Sequence, residues 1–141
     1  MIEEYLQRLD ELLSASPAVS DVEIIRRSIR DTELEKILHY RYRVILANGG
    51  FVEMTERVLE VRGTLTVTKY RHHWQDREGR LVRRWDNAPH HPAIDTFPHH
   101  LHEGAEDRVV SHTAIMGLEA LQRILTAIEA QEKNGSREDL S

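Results

Sequence analysis

Histidine is the residue type in this sequence that could carry the most chemistry. Nine of the 141 residues are histidine, and eight of them lie between positions 72 and 112. An imidazole titrates near neutral pH, so it can transfer a proton or bind a metal ion through a ring nitrogen. Cysteine is absent, which excludes disulfides, thiolate zinc sites and a cysteine nucleophile. The clustered histidines are His72, His73, His90, His91, His99, His100, His102 and His112.

Metal binding is one interpretation of this cluster. The side chains of ligand type that lie near one another in the sequence are Asp86, His90, His91, His99, His100 and His102. Adjacent histidines point to opposite sides of an extended chain, so we expect at most one of each His-His pair to face a given ion. The helical spacing of two histidines that is typical of zinc hydrolases is absent. We therefore expect no cofactor, with a divalent metal ion as the alternative.

Residues 62–90 form a basic stretch in a chain whose formal net charge is −5. Seven Lys or Arg residues and three acidic residues occur there, a local balance of +4. Trp74 and Trp85 are interleaved with the cations, a pattern typical of nucleic-acid surfaces. A solvated strand face with two core tryptophans is the simpler interpretation. The candidate nucleic-acid contacts are Lys69, Arg71, Trp74, Gln75, Arg83, Trp85 and Asn87.

The elements that must position these residues are a run of strands after an N-terminal helix. Apolar residues at helical spacing predict a helix over 2–15, which Pro17 ends. Alternating apolar residues or β-branched content predict strands over 21–31, 34–46, 51–61, 65–75 and 81–85. Glycine-containing turns near Gly49, Gly63 and Gly79 connect the later strands. The apolar phase shifts near Glu56-Arg57, which predicts a bulge there.

The segment 86–103 holds three of the four prolines, so we expect neither helix nor central strand in it. Five of its eighteen residues are histidine, and loops of this length are usually functional or mobile. A closing helix is predicted to start near Ser111 or Thr113 and to stop at Asn134-Gly135. The prediction is one α+β domain over 1–132 with a disordered tail over 133–141. Its helices pack on one face of a meander of about five antiparallel strands, and the other face is open to a ligand.

The motifs of residues 70–102 resemble those of a known family. His73-Trp74-Gln75-Asp76 is followed by the run Arg84-Trp85-Asp86-Asn87-Ala88-Pro89-His90-His91-Pro92 and by Phe97-Pro98-His99-His100 with His102. This string resembles the TumE-type family of small bacterial and archaeal proteins, regarded as the toxin component of toxin–antitoxin modules. His72 and Leu101 stand where a tyrosine and a lysine are common in that family. The resemblance implies a cognate antitoxin, usually a small helix-turn-helix protein encoded beside the toxin.

Many toxins of such modules act on RNA, so the resemblance implies a type II toxin that cleaves RNA or inhibits translation. A site rich in histidine and arginine suits RNA cleavage without a metal: one imidazole takes the 2′-hydroxyl proton and a second protonates the leaving 5′-oxygen. A guanidinium stabilises the charge that develops at phosphorus. The candidates are His73, His90, His91, His99 and His100 for proton transfer and Arg84 as the phosphate clamp. The alternatives are a noncatalytic module that binds RNA or protein, and a histidine-dependent metal hydrolase.

The sequence also bears on location and assembly. No apolar run is long enough to span a membrane, and the N-terminal residues are acidic where those of a signal peptide are basic. We therefore expect a cytoplasmic protein that does not act at a membrane. An open sheet edge or a charged helix face offers a surface for the antitoxin, and the same surface could support a homodimer.

Overall fold

A computed structural model describes residues 1–140 and shows an antiparallel meander of seven strands between two helices. Each strand pairs with its neighbours in the sequence. The elements are α1 (Ile2–Ala15), β1 (Val19–Asp31), β2 (Lys36–Leu46), β3 (Phe51–Val61), β4 (Thr64–Gln75), β5 (Leu81–Asp86), β6 (His100–Glu103), β7 (Val109–Ser111) and α2 (Gly117–Leu140). The α+β class, the first helix and the first five strands are as predicted, with strand ends within two residues.

Alternation along the strands gives the sheet one apolar and one polar face. In β2 the even-numbered residues from Leu38 to Leu46 are buried, while Arg41 between them is exposed. The apolar stripes of α1 and α2 pack on that same buried face and form one core with it. The other face of the sheet carries no helix, as predicted, and we call it the helix-free face.

The turns lie at the glycines that predicted them, and a bulge lies where the alternation of apolar residues shifts. Gly49 and Gly79 have φ of +93° and +81°, in the left-handed region where a side chain is strained, and both lie in hairpin turns. The register between β3 and β4 shifts after the pair Arg57 and Lys69. The extra residue is Thr68, so the predicted bulge is present but lies in the strand that pairs with Glu56-Arg57.

The strand count is the main correction to the predicted fold. β6 pairs with β5, and β7 pairs with β6, so the sheet has seven strands rather than five. The segment 86–103, predicted to contain no strand, becomes extended at His100. The last of its prolines is Pro98, so every residue from His100 onward has a backbone N–H for the ladder. The connecting loop therefore spans residues 87–99.

The closing helix begins later than predicted because its cap comes from the sheet. Ser111 ends β7 and Thr113 precedes α2, so neither residue caps the helix. The N–H of Gly117 instead donates to Oε2 of Glu56 in β3 at 3.0 Å. A carboxylate at a helix N-terminus satisfies a free N–H and interacts favourably with the helix dipole. Nothing in the sequence near residue 117 signals this partner, which lies 61 residues earlier.

Glu56 also joins the remaining layers of the fold. It is 1% exposed, and its Oε1 accepts hydrogen bonds from the hydroxyls of Tyr5 in α1 and Tyr40 in β2, the latter at 2.6 Å. Burial raises the pKa of Glu56, while the hydrogen bonds from the two tyrosines and from Gly117 lower it. One buried carboxylate thus fixes both helices to the sheet.

The end of α2 also differs from the prediction. The helix continues through Asn134 and Gly135 to Leu140, whereas the sequence predicted a stop at that pair. A glycine inside a helix costs only about 1 kcal/mol, so it does not by itself end one. The end of the predicted tail, Ser141, lies outside the described residues. Neither helix of the described chain is long and apolar enough to cross a membrane.

Candidate functional site

The motif histidines meet on the helix-free face, where β5 lies between β4 and β6. Asp86 pairs with Arg71 on one side and with His100 on the other, and Arg84 pairs with His102. Residues opposite one another in neighbouring strands share a face of the sheet. Side-chain alternation therefore places Arg71, Arg84, Asp86, His100 and His102 together.

A cleft of about 870 Å³ opens at this point and we call it the motif cleft. Its floor is the strand cluster just described, and Lys69 adds a further cation to its wall. The loop after β5 brings His90 and His91 over the cleft. Residues from β4, β5, the loop and β6 thus converge although they span more than thirty positions of the sequence.

Asp86 is the centre of the buried part of the cleft. Its Oδ1 lies 2.9 Å from Nε2 of His100, and its Oδ2 lies 3.6 Å from Nε2 of His102. Nε of Arg84 is 3.4 Å from the same Oδ2. Asp86, His100 and His102 are 6%, 2% and 5% exposed. Because burial of a charge is costly unless it is paired, the carboxylate requires positive charge beside it.

The other ring nitrogens of the two buried histidines are fixed by backbone carbonyls. Nδ1 of His100 lies 2.9 Å from the oxygen of Pro98, and Nδ1 of His102 lies 2.9 Å from the oxygen of Glu106. A carbonyl oxygen only accepts, so both Nδ1 atoms carry the hydrogen. The Nε2 atoms then point their lone pairs toward Asp86 when the rings are neutral.

His91 completes a compact group of three imidazoles. Its ring centroid lies 4.8 Å from that of His100 and 5.7 Å from that of His102. One ring nitrogen from each of the three lies within 4.8 Å of the other two. No hydrogen bond joins the ring of His91 to another side chain or carbonyl in the described part of the chain. His90 and His99 are outside this group, so one residue of each His-His pair faces it, as the extended geometry predicts.

Arg84 is already paired with an anion, Glu106. Its two terminal nitrogens donate to the two carboxylate oxygens of Glu106, one of them at 2.7 Å. This pairing lowers the pKa of Glu106 and raises that of Arg84. Glu106 is 66% exposed and lies on the turn between β6 and β7, so a phosphate could replace it on the guanidinium. The sequence reasoning missed Glu106, whose only signal is its position four residues after His102.

Two other predicted catalytic histidines lie beside the cleft. His73 is on the helix-free face, where its Nδ1 is 3.5 Å from Arg84, and its Nε2 is 2.9 Å from Oε1 of Gln75. Burial lowers the pKa of His73. Nδ1 of His99 is 2.8 Å from the hydroxyl of Tyr70, and the two rings are stacked. His73 and Gln75 thus adjoin the site, whereas the ring of His99 contacts Tyr70, a core residue of β4.

Three of the predicted nucleic-acid contacts lie on the helix side of the sheet, away from the cleft. Trp74 and Trp85 are 3% and 1% exposed and belong to the core, so neither ring can stack on a base in this fold. Both lie on the apolar face because they alternate with Arg71, His73 and Arg84 along their strands. Arg83 also lies on the helix side, where it pairs with Glu103. The simpler interpretation of the tryptophans is therefore confirmed.

The side chain of Asn87 is used in hydrogen bonds to the backbone of β4, whereas Lys69 and Arg71 are exposed to a ligand. Oδ1 of Asn87 accepts the N–H of Tyr70, and its Nδ2 donates to the carbonyl of Thr68. These two bonds satisfy the backbone of the β4 bulge and fix the start of the loop. Lys69 and Arg71 are exposed and line the cleft.

The residues of this cleft belong to a stretch that a protein-family model covers. The model described as "Toxin TumE" matches residues 9–132. The chain belongs to the TumE toxin family. The TumE match includes all seven strands in full and every residue of the motif cleft, and it supports the resemblance drawn from the motifs. No curated protein and no solved structure matches the chain. A toxin family implies an antitoxin partner in general, so the protein is expected to act within such a pair.

Proposed function

We propose that this TumE-family protein is the RNA-directed toxin of a type II toxin–antitoxin module and that it cleaves RNA in the motif cleft. The observation that carries the proposal is the position of the cleft at one end of a strongly basic sheet surface. The cleft combines imidazoles, a guanidinium and free cations, which together suit phosphodiester chemistry. Its action would take place in the cytoplasm, where cellular RNA is translated.

The helix-free face is basic although the chain as a whole is acidic. Strand pairing places eight Lys or Arg side chains on it and four acids, Asp21, Glu23, Glu53 and Asp86. Four strand spacings of roughly 4.8 Å separate β1 from β5, so the cations cover about 19 Å. Such a surface attracts a phosphate backbone without reading its sequence. The eight cations are Arg26, Arg30, Arg41, Arg43, Arg57, Lys69, Arg71 and Arg84.

Cleavage in the cleft would use the 2′-hydroxyl of RNA as the nucleophile. Its oxygen attacks phosphorus, its proton passes to a base, and the 5′-oxygen leaves with a proton from an acid. The products are a 2′,3′-cyclic phosphate and a 5′-hydroxyl. Proton carriers need a free ring nitrogen. No hydrogen bond engages the ring of His90 or His91 in the described chain, whereas both ring nitrogens of His100 have partners. Lys69, Arg71 and Arg84 are placed to stabilise the charge on phosphorus.

The antitoxin needs a second surface, and we assign it to the edge strand β1. Ile24, Ile25 and Ile29 of β1 are 58%, 50% and 40% exposed, an unusual apolar content for a free sheet edge. A partner can add a strand to such an edge. We infer a small helix-turn-helix protein as that partner, with a second copy of the chain as the alternative occupant. Co-purification of the neighbouring gene product, lost in Ile25→Lys, would identify it.

The test of RNA cleavage compares two adjacent arginines on opposite faces of β5. Arg84→Ala removes one of the three cations of the cleft, whereas Arg83→Ala removes a cation that is paired with Glu103 on the helix side. We expect Arg84→Ala to abolish growth arrest on expression and to slow cleavage of a labelled RNA about 100-fold, with Arg83→Ala near wild type. An RNA carrying 2′-O-methyl groups should remain intact.

The opposite result, RNA binding without cleavage, would support the noncatalytic alternative. Protein that binds RNA stoichiometrically but leaves it intact would be a binding module rather than a ribonuclease. If Arg84→Ala and the double variant Lys69→Ala with Arg71→Ala fold and remain fully toxic, the motif cleft is not the site of action.

A further inference from the structure

We propose that His91, His100, His102 and Asp86 form a binding site for one divalent transition-metal ion. The atoms that point to a metal ion are the ring nitrogens of His100 and His102. Their Nδ1 atoms donate to backbone carbonyls, so their Nε2 atoms are left with lone pairs directed at one carboxylate. Lone pairs of nitrogen and oxygen at these distances repel one another unless a cation or a proton lies between them. A metal ion would supply that charge for all of the groups at once.

The fixed Nδ1 atoms are themselves a feature of metal sites. Histidine ligands usually donate the second ring N–H to a backbone carbonyl or a carboxylate, which fixes the tautomer and orients the ring toward the ion. His100 and His102 both show this arrangement. His91 adds a third imidazole whose ring is free of hydrogen bonds in the described chain. Asp86 adds a carboxylate oxygen beside the Nε2 atoms of His100 and His102.

The distances fit a common ion. Two ligands that lie about 2.0–2.1 Å from a tetrahedral ion are about 3.3 Å apart. Oδ1 of Asp86 lies 2.9 Å from Nε2 of His100, and Oδ2 lies 3.6 Å from Nε2 of His102. These two distances lie on either side of that value. The three imidazole nitrogens lie within 4.8 Å of one another, so small rotations of the half-buried His91 would close the site. Three imidazoles and one carboxylate suit zinc, iron, cobalt or nickel better than magnesium or calcium.

The sequence alone favours a reaction without a metal because no ligand template is present along the chain. The sheet register supplies what the sequence pattern lacks, since it aligns His100 with Asp86 and leaves His102 on the same face. With the ion bound, His91 is a ligand, so proton transfer during RNA cleavage would fall to His90 and to water. That last consequence rests on the proposed function, but metal binding itself does not.

The experiment uses full-length protein without a histidine tag, dialysed against chelator and then titrated with Zn²⁺ by calorimetry and with Co²⁺ by visible absorption. We expect one ion per chain and a cobalt spectrum of a four- or five-coordinate site. His91→Ala, His100→Ala and Asp86→Asn should each weaken binding at least tenfold. The matched controls are the other residues of the two pairs, His90→Ala and His99→Ala, which should bind as wild type does.

Three outcomes would refute the metal site. One is the absence of stoichiometric binding, and another is an equal loss of metal affinity in His90→Ala. The third is full metal affinity in His91→Ala, a variant that removes no hydrogen bond that folding requires. Circular dichroism on each variant separates lost ligands from lost fold. An RNA assay beside the titration separates the two proposals. Metal binding without cleavage would refute only the ribonuclease, whereas undiminished cleavage by protein that binds no metal would refute only the metal site.

Discussion

Replacement of His72 by leucine should make the protein more stable. His72 lies on the apolar face of β4 and is fully buried, and neither of its ring nitrogens has a hydrogen-bond partner among the described residues. Its neighbours across the strands are Met54 and Trp85, and the ring of Tyr70 stacks beside it at 5.8 Å. A buried polar group without a partner costs roughly 1–3 kcal/mol. Leucine has a similar volume and no polar atom, so His72→Leu should gain about that amount at pH 7.5.

The gain should grow as the pH falls. Burial lowers the pKa of His72 to about 3, from an ordinary value of 6.5. Above pH 6.5 the imidazole is neutral in both the folded and the unfolded chain, so protonation does not affect stability. Between pH 6.5 and about 3 the unfolded chain takes up the proton and the folded chain does not, so the wild type loses stability as the pH falls. At pH 5 this loss is roughly 2 kcal/mol, and leucine does not incur it.

Urea unfolding followed by circular dichroism at pH 7.5, 6.5 and 5.0 measures both effects. The difference in unfolding free energy between His72→Leu and wild type should rise by roughly 2 kcal/mol from pH 7.5 to pH 5.0. His90→Leu is the control, because it changes the same residue type at an exposed position. A difference that stays constant with pH would refute the assignment of His72 as a buried neutral imidazole. A variant no more stable than wild type at pH 7.5 would show that the ring nitrogens have partners.

Three further predictions concern the helix anchor and the cleft. Glu56→Ala leaves three buried donors without an acceptor and should lower the unfolding free energy by about 3–5 kcal/mol in urea, with a smaller loss for Glu56→Gln. Gly117→Ala should lower it by about 1–3 kcal/mol, because a Cβ there would lie 2.6 Å from Oε1 of Glu56 and overlap a tyrosine hydroxyl. Gly135→Ala, with no atom within 4 Å of its Cβ, should be neutral or slightly stabilising; equal losses at the two glycines would contradict the packing argument. Glu106→Ala frees Arg84 and should raise RNA affinity in fluorescence anisotropy up to about fivefold, since an exposed pair is worth less than about 1 kcal/mol; unchanged affinity would mean that Glu106 does not compete with phosphate.

Local sequence patterns predicted the helices and strands whose conformation depends on their own residues. The alternation in β2 predicted which side chains are buried, and the helical spacing in α1 predicted its full extent. They failed where an element depends on a distant partner. β6 is only four residues long and is extended because β5 offers a ladder, and α2 starts at Gly117 because Glu56 accepts its N–H. Neither relation has a signature in the nearby sequence.

The candidate site was predictable in its composition but not in its arrangement. The density of histidine located the segment, and the extended geometry of each His-His pair predicted that at most one member would face a given metal ion. The interleaving of tryptophan with arginine, in contrast, suggested a single binding surface. The structure separates them, because alternation along β4 and β5 sends Trp74 and Trp85 into the core and Arg71 and Arg84 to the helix-free face.

The net charge of −5 and the proposed RNA surface are compatible because the sheet separates them. α1 carries Glu3, Glu4 and Glu11 on the helix-covered side, while the cations of β1 to β5 lie on the opposite side. The motif cleft sits at the end of that basic surface, and its buried carboxylate and imidazoles are held by strand register and by carbonyls of the chain. The loop histidines are positioned in the same way, since Asn87 fixes one end of the loop to β4 and Thr96 bonds the backbone of His99 and of His112 at the other.

Because His100 and His102 alternate with Leu101, a slip of β6 by one residue would direct Leu101 into the cleft. The clustered histidines therefore depend on the sheet for their arrangement, and substitutions that weaken the β5–β6 pairing should disrupt the proposed site as much as loss of a histidine.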